Sequence, residues 1–230
     1  MKITFRPADE DVANTVEPPM LAKLAIPEWY KNSPNFNYKN PTFDGNQVID
    51  VPMKMCMPFL DGLSAGYIQK TWTDIFIRKD GDQVTYRLAY GPQMMHYREK
   101  VSPTIDDSYY QIEWVWRKVW TAQLPKGYSA LITHPLNRLD LPFTTMSAVV
   151  DADTFFHTSA GNIPFFIKKD FEGRIPAGTP MYQIIPIKRE SWESEAQEYN
   201  EKEMLKRRAL WGRHFWGAYK DHFRQPKNYS

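Results

Sequence analysis

The sequence predicts a mainly β protein that carries a short N-terminal helical element and a C-terminal helix. Three observations predict it. Between Tyr128 and Arg189, apolar runs recur at regular spacing, at Thr145 to Val150, Pro164 to Lys168 and Ile175 to Arg189. They are built of strand-length pieces rich in β-branched and aromatic residues and bounded by Gly, Pro, Asn or Asp. Prolines outnumber glycines, 18 to 11, which disfavours long helices and long central strands. The chain also holds 13 phenylalanines, 13 tyrosines and 8 tryptophans, residues that favour strands and large contact surfaces.

Taken in order, Lys2 to Arg6 alternates as a short edge strand stopped by Pro7, and Ala8 to Glu17 reads as an acidic link. Pro18 to Lys31 opens on a proline pair at a helix-start position and fits one or two helical turns, with another turn at Glu28 to Asn32. Residues 33–47 are loop by composition, Val48 to Met53 is a candidate strand, and Cys56 to Tyr67 fits a short helix or a double turn. Tyr67 to Arg78 alternates and pairs with Gln83 to Tyr90 through Lys79-Asp-Gly-Asp82, because Asp-Gly supplies the positive φ of a tight hairpin. Tyr109 to Trp120 alternates again as one long strand. Ser191 to Phe223 contains no proline, and its acids give way to bases along its length, which suits a helix and its macrodipole. Met204, Trp211, Phe215, Tyr219 and Phe223 would form its apolar stripe, interrupted near Gly212 and Gly217. The whole reads as one domain, 1–230, with an N-terminal arm at 1–47, a β core at 48–189, the helix at 190–223 and a tail at 224–230.

Charge narrows the partners. Twenty-nine bases against 27 acids give a formal net charge of +2, so neither nucleic acid nor an anionic membrane is an expected partner. Trp114, Trp116 and Trp120 beside Arg117 and Lys118 could stack bases, but balanced charge favours packing in a core or interface. A single cysteine, Cys56, excludes an internal disulfide framework and fits a reducing compartment. The N-terminus lacks the apolar core of a signal peptide and no run approaches bilayer length, so the expected location is the cytoplasm of the producing cell, or a particle assembled there.

The densest polar constellation is His134, Asn137, Arg138 and Asp140, followed by Asp151 and Asp153. Alternation on a strand would put both aspartates on one face, where with a histidine they could hold a divalent cation or activate water. The same residues equally suit turns, with Asn and Asp satisfying backbone donors and Arg138 pairing with Asp140. Gln183, following the permissive Gly178, could read a carbonyl or amide, or simply lie in a buried strand. No Gly-x-Ser-x-Gly elbow, phosphate loop or dinucleotide fingerprint is present, and no cofactor is indicated. His96 and His157 stand alone and read as structural.

Two resemblances follow from these motifs. Cys-Met-Pro-Phe-Leu-Asp-Gly-Leu-Ser-Ala-Gly-Tyr67, Leu-Pro-Lys-Gly-Tyr-Ser129, His-Pro-Leu-Asn-Arg138, Val-Val-Asp-Ala-Asp153 and Ile-Pro-Ala-Gly-Thr-Pro-Met-Tyr-Gln-Ile-Ile-Pro-Ile-Lys-Arg189 resemble a family of unknown function found in tailed bacteriophages and some bacteria. Val-Val-Asp followed by Gly-Thr-Pro-Met-Tyr-Gln-Ile-Ile is similar in order to the end of the dUTPase and deoxycytidine-triphosphate deaminase fold, a trimer-forming β-clip. That likeness implies Asp151 near a nucleotide sugar and Gln183 near a late core strand. The serine-bearing phosphate motif, the tyrosine-and-glycine continuation after the aspartate and the glycine-rich terminal arm are missing, so the fold carries over and the activity does not. The expectation is therefore a β-clip-like or jelly-roll-like core in a homo-oligomeric, non-enzymatic structural or interaction protein, with other phage proteins as further partners and the virion as one location. The alternative is a small-molecule enzyme, a nucleotide hydrolase or a metal-dependent enzyme, with its site between His134 and Asp153.

Overall fold

The structure, a computed structural model of the chain, describes residues 1–35, 52–81, 83–98, 106–156, 161–212 and 219–230. In chain order the first elements are β1 (Thr4–Pro7), α1 (Glu10–Thr15), β2 (Met20–Leu21), a 3-10 turn at Ala22–Ala25, α2 (Glu28–Asn32) and α3 (Met57–Ser64). Strands β3 (Tyr67–Lys70), β4 (Ile75–Asp80), β5 (Gln83–Leu88), β6 (Met95–Tyr97), β7 (Trp114–Arg117), β8 (Trp120–Gln123) and β9 (Tyr128–Thr133) follow. The last are β10 (Phe143–Thr145), β11 (Ala148–Val150), β12 (Asn162–Ile167), β13 (Gly173–Ile175), β14 (Pro180–Lys188) and the helix α4 (Glu201–Gly212). The fold is mainly β with a C-terminal helix. Two compact units divide it, one made of Met1–Ala25 with Leu63–Arg189, the other of Ile26–Gly62 with Glu190–Ser230.

All of these strands lie in the first unit, in four antiparallel sheets ordered β1-β8, β10-β12-β7-β6, β11-β9-β14-β3-β2 and β13-β4-β5. Strand β14 is central in the five-stranded sheet, and Pro180 to Ile184 are buried along it. The expected hairpin is present: β4 and β5 pair from Ile75↔Leu88 to Asp80↔Gln83, and Gly81 takes φ +59° at the turn. Two expected long strands are broken. Thr71 to Asp74 separates β3 from β4, which then enter different sheets, and Val119 offsets β8 from β7. The alternation of Tyr67 to Arg78 continues through that break, so periodicity alone did not show it.

Aromatic packing fills one face of the four-stranded sheet. Trp116 stacks on Phe165 with ring centroids 3.6 Å apart and meets Phe143 edge-on at 5.1 Å, all three being fully buried. Its indole N–H donates to Thr145 Oγ1 at 3.0 Å, and that hydroxyl donates to the Met181 carbonyl at 2.7 Å, tying the four-stranded sheet to the five-stranded one. Gly66 sits at φ +63° where the chain turns from α3 into β3, and a Cβ there would lie 2.1 Å from the Ile184 carbonyl oxygen. Only glycine fits.

Ala8 to Glu17 is not a bare acidic link but mostly helix α1. Asp9 caps it by accepting the Val12 N–H at 2.8 Å, and Val12 and Val16 bury their side chains with Val119 and Trp120. The apolar pair four residues apart outweighs the surrounding acids.

In the second unit Tyr30 stacks on Phe59 at 5.7 Å, and Asp61 accepts from Arg224 at 2.7 Å and Lys227 at 2.9 Å, which pins the C-terminal tail. The C-terminal helix is shorter than its proline-free stretch. Ser191 to Asn200 has no regular secondary structure and is exposed, and α4 begins only where Asn200 Oδ1 accepts the Glu203 N–H at 3.2 Å. Ser194 and the crowded Glu193, Glu195 and Glu198 disfavour an earlier start. A π turn covers Tyr219–Phe223, while the Trp211 and Phe215 side chains of the expected stripe lie outside the described residues. Of the candidate strand at Val48 to Met53, residues 48–51 also lie outside them, and Met53–Met55 forms a 3-10 turn.

Candidate functional site

The polar residues marked by the sequence fall in three places, all in the first unit. At the first, the Pro135-Leu-Asn-Arg138 turn follows β9, closed by the Arg138 N–H donating to the Pro135 carbonyl at 3.1 Å, with Asn137 at φ +61°. His134 supports this turn from below. Its Nδ1 accepts the Thr145 N–H at 3.2 Å, which leaves the proton on Nε2 to be donated to the Arg138 carbonyl at 3.0 Å. Both ring nitrogens are thus occupied by backbone groups. Burial holds the imidazole below its ordinary value, so the ring is neutral at pH 7.

Gln183 belongs to the same assembly from inside. Its Oε1 accepts the Leu136 N–H at 2.7 Å and its amide nitrogen donates to the Ala65 carbonyl at 2.5 Å. The side chain is buried, so its amide connects two loops across β14.

At the second place, Asp151 and Asp153 lie just past the end of β11, in a turn where the Phe155 N–H donates to the Asp151 carbonyl, rather than on a strand. They do share a face. Between them sits Arg189, whose Nη1 donates to Asp151 at 3.2 Å and to Asp153 at 2.9 Å, while its Nη2 donates to Asp153. Ser129 Oγ donates to Asp151 and the Gly127 N–H to Asp153, each at 2.8 Å. The guanidinium and the Gly127 amide hold the Asp153 carboxyl at about 2. This arrangement fixes the end of β14 to the start of β9 by charge-assisted hydrogen bonds. Among the described residues no group of three or more His, Cys, Asp or Glu side chains is placed to share a metal ion.

The third place is a cleft of about 910 Å³. Arg138 and Asp140, locked together by two 2.8 Å hydrogen bonds, stand on its rim; His134, Asn137, Asp151, Asp153 and Gln183 do not line it. Its floor is apolar, with Leu141, Ile175 and Pro180 buried there. Four basic side chains, Arg138, Lys168, Lys169 and Arg174, face two acidic ones, Asp140 and Asp170. Most of the rim is held in place: Arg174 pairs with Asp74 at 2.8 Å and Lys168 donates to the Leu139 carbonyl at 3.0 Å, whereas no described partner holds the Lys169 ammonium. Gly178 at φ +85° completes a turn in which the Thr179 N–H donates to the Pro176 carbonyl. The backbone N–H groups of Ala177, Gly178 and Thr179 are all occupied within the fold, so the turn offers a surface rather than an anion cradle. The sequence signal for the cleft was the Lys-Lys-Asp-Phe-Glu-Gly-Arg174 turn, which sequence reasoning passed over because its partners come from β9 to β10 and from β14.

No family model matches the chain, and no curated protein matches it. Among solved structures, a mutant dUTPase from phage phi11 of S. aureus, which coordinates a structural Mg(II) ion, is similar at 12% identity over 87% of this chain and 99% of that chain, with a TM-score of 0.34.

Proposed function

We propose that the chain is a phage-type structural or interaction module that acts by assembly with further copies and with other phage proteins, in the host cytoplasm or in the virion, rather than by catalysis. The observation that carries this reading is the occupation of the polar residues from His134 to Asp153 and of Gln183. His134, Arg138, Asp140, Asp151, Asp153 and Gln183 each bind backbone or a neighbouring charge that holds a loop in place, which is the role of a scaffold. The surface around them is apolar enough for contact: Met146 is 46% and Val149 63% exposed, the latter on β11, an edge strand of the five-stranded sheet. The motif resemblance to a phage family supports the biological setting.

Native mass spectrometry of the untagged protein near neutral pH tests it. A bare oligomer is the expected result. A monomer, or a species carrying one nucleotide or metal mass per subunit that is lost in Asp151→Ala/Asp153→Ala, overturns the reading in favour of a small-molecule enzyme.

A further inference from the structure

The cleft and the segment after β14 have complementary chemistry. From Glu190 to Glu201 the chain runs Glu-Ser-Trp-Glu-Ser-Glu-Ala-Gln-Glu-Tyr-Asn-Glu, with five acids and no base. Ser191 to Asn200 has no secondary structure, every residue is exposed, and Trp192 and Tyr199 are 84% and 74% exposed. Two large aromatic rings held in water on an acidic segment without secondary structure are costly for an isolated chain and are the usual anchors of an interface. The cleft offers what such a segment lacks. It has a buried apolar floor at Leu141, Ile175 and Pro180 for a ring, and on its rim bases outnumber acids four to two, with Lys169 unheld.

We propose that the acidic aromatic segment Glu190 to Glu201 of one copy docks in the cleft of a second copy, with Trp192 or Tyr199 over the apolar floor and the glutamates facing Lys168, Lys169 and Arg174. The proposal rests on the assembly reading above and names its contact. Opposite charges on the rim set orientation and partner choice.

A charge exchange in the full-length chain tests it. One variant carries Lys168→Glu/Lys169→Glu and keeps the wild-type segment; the other carries Glu193→Lys/Glu195→Lys and keeps the wild-type cleft. All four positions are exposed, so both variants fold, which near-ultraviolet circular dichroism checks. Each alone should self-associate about tenfold more weakly than wild type, or not at all, because several rim pairs become repulsive together. An equimolar mixture should recover association, since every segment then meets a cleft of opposite charge. Trp192→Ala/Tyr199→Ala should weaken association without changing its dependence on salt. Variants that assemble as wild type does, or a mixture no better than its components, overturn the docking while leaving the assembly reading intact. A monomeric wild type overturns both.

Discussion

Gln183 Oε1 accepts the Leu136 backbone N–H at 2.7 Å, so a buried side chain in the middle of β14 holds the turn that carries Asn137 and Arg138. Replacing it with leucine would leave the Leu136 donor and the Ala65 acceptor unpaired in a buried setting. Gln183→Leu is expected to lower stability by about 2 kcal/mol in urea unfolding. An unchanged midpoint would show that the turn holds itself.

His134 accepts one backbone proton and donates another, and protonation would place a second donor against the Thr145 N–H. Its folded value lies below the ordinary 6.5, chiefly from burial. The contribution to stability is therefore complete above 6.5 and is lost as pH falls through the lower folded value. His96 shifts in the same direction, through burial and then through Arg117 and Arg98, so ring-proton NMR must separate the two. The expected spectrum shows His134 still neutral at pH 6.5; a half-protonated ring at that pH would contradict the geometry.

Asp153 should titrate at about 2, well below 3.8, because Arg189 and the Gly127 N–H favour its ionised form. The stability it provides is full above 3.8 and disappears as pH falls through about 2. Asp153→Asn should flatten the acid limb of the stability profile over that interval, and carboxyl-carbon NMR should report the same low midpoint.

Gly66→Ala combines a left-handed φ with a Cβ 2.1 Å from the Ile184 carbonyl oxygen. A loss of about 3 kcal/mol is expected in thermal or urea unfolding, since the contact is with backbone of a central strand and cannot be relieved by a rotamer change. Gly127→Ala has the same sign of φ and open space around it, so it should cost about 1 kcal/mol.

Tyr182 supplies a subtler case. Its hydroxyl is buried with no hydrogen-bond partner among the described residues, and burial pushes its ionisation upward. Tyr182→Phe should leave stability unchanged or raise it by about 1 kcal/mol, because removing an unsatisfied buried group removes its desolvation penalty. A marked loss would reveal a partner such as an ordered water.

These residues also show what the sequence could and could not disclose. The β4–β5 hairpin was legible because Asp-Gly dictates its turn locally. The β character of 128–189 was legible because punctuation and residue type both pointed one way. Arg138 with Asp140 was readable as a turn pair, two residues apart. What joins Gln183 to Leu136 or Arg189 to Asp153 was not readable, because those partners lie 47 and 36 residues apart and meet only through the register of β14 and of β11 against β9. The cleft was hidden for the same reason: its rim residues belong to separate turns that only the assembled sheets bring together. Helix α1 is different, since the Asp9 cap and the Val12 and Val16 spacing were present locally but were outvoted by acidic composition.

The pairing of β1 with β8 has a consequence for how the protein is made. Thr4 is matched to Gln123, and Arg6 Nε reaches Gln123 Oε1 across 117 positions. Strand β1 therefore has no partner on the ribosome until the chain through Gln123 has been made. Strand β3 waits almost as long for β14. During that interval Phe5, Val12, Val16 and the buried side chains of β3 lack their native cover, and such non-local pairing slows folding and exposes apolar surface to aggregation.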